Sequence, residues 1–135
     1  MSLATWKKEF YPVTASAAAK YSWLRAIDHS LRKWTGLLPK NLKKHGAHIN
    51  AWGDIEDDTN AELTIDENSC SLCAKADVRG SKNCARCPIL INVGVKCTDA
   101  FREFMYTQDP KPMIKLLETT SALHLAAAKK KETTK

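Results

Sequence analysis

The sequence has no run approaching the roughly 18 consecutive apolar residues that a membrane helix needs. Its first twelve residues include Lys7, Lys8 and Glu9 where a secretory signal requires an apolar stretch, so a chain made and kept in a reducing cytoplasm is expected, with no membrane partner. GxSxG, GxGxxG, P-loop and HExxH motifs are all missing, which leaves no catalytic motif to support an enzyme. Internal repeats are missing too, and 135 residues are too few for two full-sized domains, so a single domain is expected over residues 1–135.

Acidic residues are scarce where basic ones gather. Residues 1–48 carry nine Lys and Arg against two acids, residues 49–77 carry one against eight, and residues 78–135 carry eleven against five. The net charge of +6 favours an anionic partner. With 44% apolar residues the chain has enough hydrophobic surface to fold.

The patterning divides the chain into a basic helical part (1–48), an acidic loop (49–69), a cysteine lobe (70–97), C-terminal helices (98–128) and a basic tail (129–135) that should fray. A helix is expected over residues 15–34, capped by Thr14 and closed near Gly36. Ala17, Leu24, Ile27, Leu31 and Trp34 would form its packed side, and Arg25, His29, Arg32 and Lys33 its solvated side. Pro39 suits the first turn of a short helix over residues 40–45 that Gly46 can end. Only residues 61–66 alternate like a strand. Thr98 can cap a helix carrying Phe101, Phe104 and Met105, and Asp109-Pro110 opens a last helix over residues 111–128.

The chemistry lies in five cysteines. Cys70-x2-Cys73 and, ten residues later, Cys84-x2-Cys87 form two pairs, each able to turn two thiolates onto one metal. Four thiolates at about 2.3 Å make a closed, structural tetrahedron for which zinc is the preferred ion. Cys97, ten residues further on, either replaces one of the four or stands free; with two complete pairs it is expected to be surplus. The Cys87-Pro88 step also suits iron-sulfur ligation, the alternative centre. His45 and His48, beside Asp54 and Glu56, are the only further metal candidates; a surface or groove role suits them better, as no two additional ligands stand at persuasive spacing. His29 and His124 read as packing or surface residues.

The strings Cys70-Ser71-Leu72-Cys73, Cys84-Ala85-Arg86-Cys87-Pro88-Ile89 and Gly94-Val95-Lys96-Cys97 resemble a CxLC, CxxCP, GxxC pattern found in small uncharacterised proteins of bacteriophages and prophages. The resemblance covers about 28 residues and implies a phage-like origin and a metal lobe, with no activity attached. Together these features predict a mostly α fold in which N- and C-terminal helices flank a small zinc-ribbon or knuckle-like lobe with little β structure. The expected function is a non-enzymatic binding module. Arg25, Arg32, Lys33, Lys40, Lys43 and Lys44 would contact nucleic acid or a nucleoprotein complex. The alternative is a protein inhibitor of host or antiviral-defence machinery, docking through the acidic stretch 54–58 or through Trp6, Phe10 and Tyr11.

Overall fold

The computed structural model describes residues 2–65, 70–78, 81–82 and 84–133. It is mostly helical with little strand, in the order α1 (Leu3–Phe10), α2 (Ala15–Ala18), α3 (Trp23–Gly36), α4 (Pro39–Lys44), β1 (Ala47–Ile49), β2 (Ile55–Asp57), β3 (Glu62–Leu63), α5 (Ser71–Lys75), β4 (Asp77–Val78), β5 (Ser81–Lys82), α6 (Thr98–Thr107) and α7 (Lys111–Thr133). A 3-10 turn (Cys84–Arg86) and a π-helix (Ile89–Val93) lie between β5 and α6.

Helix α1 begins where Ser2 and Thr5 cap each other's backbone N–H groups. Its Leu3, Trp6 and Phe10 recur at three and four residues and are buried. Trp6 Nε1 donates to the Gly36 carbonyl at 2.9 Å. A Cβ on Gly36 would stand 2.5 Å from Phe10 Cγ and 2.8 Å from Trp6 Cζ2, so the close crossing of α1 and α3 depends on that glycine.

The expected helix over residues 15–34 is two helices. Ser22 accepts from the Arg25 N–H and starts α3 afresh. The carbonyls of Ala19 and Tyr21, released at the break, accept from Lys75 Nζ at 3.2 and 2.6 Å. A side chain distant in sequence thus satisfies backbone groups that a continuous helix would have paired internally. Helix α3 is central and packs against α1, α2, α5 and α7. Its buried face is correspondingly broad: Ala26, Ile27, Ser30 and Trp34 are joined by His29 and Lys33, which the sequence pattern assigned to solvent. Ile27 and Trp34 are buried as expected, whereas Ala17, Leu24 and Leu31 are only half-buried.

The acidic segment is not simply a loop. Antiparallel strands β1, β2 and β3 form one sheet, with Ala47 opposite Asp57, Ile49 opposite Ile55, and Ile55 opposite Leu63. β3 lies within the segment 61–66 expected as a strand, whereas β1 and β2, at three residues each, are too short to show alternation and the sequence pattern misses them. Asn50 Oδ1 accepts from Trp52 and Asp54 N–H and sets the first turn, where Gly53 adopts φ +81°. Asp57 is buried and accepts from the N–H groups of Leu3, Thr59 and Ala61 and from the Thr59 hydroxyl, tying the sheet to the start of α1. The hydroxyl bond of Thr59, followed by the Leu3 N–H, holds its carboxyl down at about 2.

Helices α4, α6 and α7 form where expected, except that Cys97 rather than Thr98 occupies the position before α6. The backbone of α7 stays helical through Thr133, so most of the basic tail extends the helix instead of fraying. Asp66, Gly80 and the last two tail residues lie outside the described residues. One core runs from Leu3 and Trp6 through Ile27, Trp34 and Ile55 to Leu72, Ile89, Phe104 and Leu117, joining the N-terminal, cysteine-bearing and C-terminal parts. No helix among the described residues is long and apolar enough to cross a membrane.

Candidate metal centre and basic surface

The cysteine segment is fastened to α3 by Ser71, whose buried hydroxyl donates to the Ala26 carbonyl at 2.6 Å. Cys70 precedes α5 and Cys73 sits within it. The β4–β5 hairpin separates this pair from Cys84, in the 3-10 turn, and Cys87. Pro88 then leads into the π-helix, which Gly94 ends at φ +83°, and the chain returns through Cys97 into α6. This folding brings all five cysteines onto one cavity of about 230 Å³, with Trp34, Leu72, Ile89, Phe101 and Leu117 among its apolar walls. None of the five is in a disulfide.

The electrostatics separate the thiols. Cys70 is held well below the usual thiol range, first by the hydrogen bond from the Cys73 thiol, then by the Lys33 charge and the N–H groups of Cys73 and Leu72. Donating that bond holds the proton on Cys73 and raises its pKa, and burial adds to the effect. Burial raises Cys87 as well, opposed by the N–H groups of Ile89 and Leu90. Burial pushes Cys97 up to about 11. Backbone donors therefore face the sulfur of one cysteine in each pair; they favour a thiolate at Cys70, whereas burial outweighs them at Cys87.

Lys33, only 1% exposed, also lines the cavity. The sequence reading made it a nucleic-acid contact on a solvated face; it is instead a buried cation beside the thiols, with its ammonium 5.5 Å from the Trp34 ring centroid. Ser30 Oγ lies 4.0 Å from Cys70 Sγ. Helical periodicity alone could not reveal this role, because it depends on α5 and α7 covering a second side of α3. Among the described residues, no three His, Cys, Asp or Glu side chains are already gathered into a ready-made metal cage; the thiols stand around the cavity wall.

His45 and His48 do not converge on a common point. His45 is buried between Thr5 Oγ1 at 3.0 Å and Glu9 Oε1 at 3.3 Å, whereas His48 meets Glu56 Oε1 at 2.8 Å. Asp54 accepts from the Ile65 N–H. His29 is buried, and its Nε2 donates to the Val13 carbonyl at 2.8 Å. Burial lowers its pKa and keeps the ring neutral. His124 is half-buried on α7.

The remaining predicted basic contacts are exposed but scattered. Arg25 lies over the Tyr21 ring at 5.1 Å, Arg32 Nε donates to the Glu9 carbonyl, and Lys44 pairs with the Glu9 carboxylate at 2.9 Å. Lys40 and Lys43 are exposed on α4. Trp6 and Phe10, suggested as docking aromatics, are core residues. The sequence reading missed the exposed Trp52 (75%) and Tyr106 (83%), chain neighbours of Gly53 and of Met105, which packs against it. No family model, curated protein or solved structure matches this chain.

Proposed function

We propose that the chain is a small, non-catalytic binding protein built around a structural zinc held by Cys70, Cys73, Cys84 and Cys87, and that it engages nucleic acid or a nucleoprotein complex through exposed cations. The reading is supported chiefly by the convergence of all five cysteines on one cavity, with backbone N–H groups turned toward Cys70 and Cys87. Zinc there would be held by the four thiolates as a closed, structural site, and Lys33, which lines the same cavity, would supply the nearby counter-charge. Cys97 remains beside it as a neutral thiol. A phage-type origin and a cytoplasmic host setting belong to the same proposal.

The nucleic-acid part draws on the exposed Arg25, Arg32, Lys40, Lys43 and Lys44. Elemental analysis of anaerobically purified protein tests the centre: about one zinc per chain is expected, and metal-free folded protein overturns it. Iron with a visible absorption band replaces zinc by an iron-sulfur cluster, which the Cys87-Pro88 step also suits. A second reading, recognition of a host or defence protein, draws on exposed Trp52, Met105 and Tyr106. Association that persists at high salt and is lost in Trp52→Ala favours it.

A further inference from the structure

Cations of α1 and α3 line two hollows that meet at Pro12. One, of about 240 Å³, has Val13, Tyr21, Arg25, Asp28, His29 and Arg32 on its walls. The other, shallower and of about 400 Å³, runs along Thr5, Lys7, Lys8 and Tyr11. Between them stand the Tyr11 and His29 rings, their centroids 4.9 Å apart. Arg25 and Arg32 are two turns apart on α3, about 10 Å along its axis, and so on one side of the helix. The bond from Arg32 Nε to the Glu9 carbonyl brings the second of them to the end of α1, next to Lys8.

Charge along this path is almost all of one sign. Lys7, Lys8, Arg25 and Arg32 line it against the single acid Asp28. The neighbouring Glu9 lines neither hollow, because its carboxylate is engaged by Lys44 and His45. At the far end Tyr21 is 52% exposed, with the Arg25 guanidinium over its ring. A flat aromatic and guanidinium pair beside a row of cations is the combination on which an unpaired base stacks while its phosphates are neutralised. The path is concave, whereas a duplex major groove is read by an element that protrudes into it.

We propose that these joined hollows are a track for a single strand of nucleic acid, with phosphates at Lys7, Lys8, Arg32 and Arg25 and a base stacked at Tyr21. The proposal rests on the nucleic-acid reading above and moves its principal contacts from the α4 lysines to the track.

The test is fluorescence anisotropy with the full chain, using labelled oligothymidylate, an RNA oligonucleotide of the same length and a DNA hairpin duplex, over a salt series. For the variant Lys7→Ala/Lys8→Ala/Arg25→Ala, the slope of log affinity against log salt on single strands should flatten by about two, from about 0.7 per phosphate contact. Tyr21→Ala should weaken single-strand binding about 5- to 150-fold with the slope retained. Lys111→Ala/Lys115→Ala, exposed on α7 and outside both hollows, should leave both quantities unchanged, Lys40→Ala/Lys43→Ala should cost less than the track variant, and circular dichroism confirms that each variant is folded. The DNA and RNA arms identify which strand is preferred, and either supports the track. Loss confined to the Lys40 and Lys43 variant removes the track and leaves the nucleic-acid reading standing. Preference for the duplex with a neutral Tyr21→Ala overturns the single-strand proposal, and no binding by the parent at low salt overturns both.

Discussion

Replacing Gly36 with Ala sets two effects of opposite sign against each other. Gly36 ends α3 without a positive φ, so Ala should gain about 0.8–1 kcal/mol from helix propensity and a less flexible unfolded chain. Against this, the new methyl would lie 2.5 Å from Phe10 Cγ, 2.7 Å from Phe10 Cβ and 2.8 Å from Trp6 Cζ2. These atoms belong to buried side chains that cannot swing aside, and overpacking of this kind costs about 1–3 kcal/mol. Three simultaneous short contacts put the cost at the upper end, and any shift of α1 also stretches the Trp6–Gly36 hydrogen bond. A net loss of about 1–2 kcal/mol is expected, which for a chain of this size lowers Tm by about 3–8 °C. Urea and thermal unfolding of the variant measure it. A double-mutant cycle with Phe10→Ala should show that truncating Phe10 costs less in the Gly36→Ala background than in the parent, with coupling of about 1 kcal/mol or more. A stability gain of about 1 kcal/mol from Gly36→Ala would show that propensity governs the position and that α1 does not cross α3 so closely.

Acid should destabilise the fold through Asp57. Its folded pKa of about 2 lies below its ordinary value of 3.8, so its contribution is present above about pH 4 and lost as pH falls toward 2. Asp57→Asn should be less stable near neutral pH and show a flatter acid limb; an unchanged pH profile would refute the four-donor arrangement. Among the cysteines, Cys97→Ser should keep the metal stoichiometry while Cys87→Ser loses it, both read by elemental analysis. The reverse result would show that Cys84 and Cys87 do not act as a pair.

Cap residues, proline positions and apolar spacing made α4, α6 and α7 legible, because each of these helices buries a simple stripe beside clear end signals. Helix α1 carried the same signal in Leu3, Trp6 and Phe10, with Ser2 as its cap, but the sequence reading placed no helix there. The break before α3 was harder to see. Ala17 and Leu24 keep helical spacing across it, and only Ser22 marks the new start. The Lys75 side chain that satisfies the broken end comes from more than fifty residues away. The spacing of the cysteines pointed to one site, and the chain does bring them to one cavity. The burial of Lys33 beside them follows from packing on several sides of α3, which no local pattern encodes. Lys7 and Lys8 were counted as charge but not as surface, since their alignment with Arg25 and Arg32 arises only when α1 crosses α3.

The metal centre is tested most directly by X-ray absorption at the zinc edge on protein purified without added metal. A first shell of four sulfurs at about 2.3 Å is expected, lost in step with metal content in Cys87→Ser and kept in Cys97→Ser. A shell containing nitrogen or oxygen, or folded protein with no bound metal, would contradict a four-cysteine zinc centre.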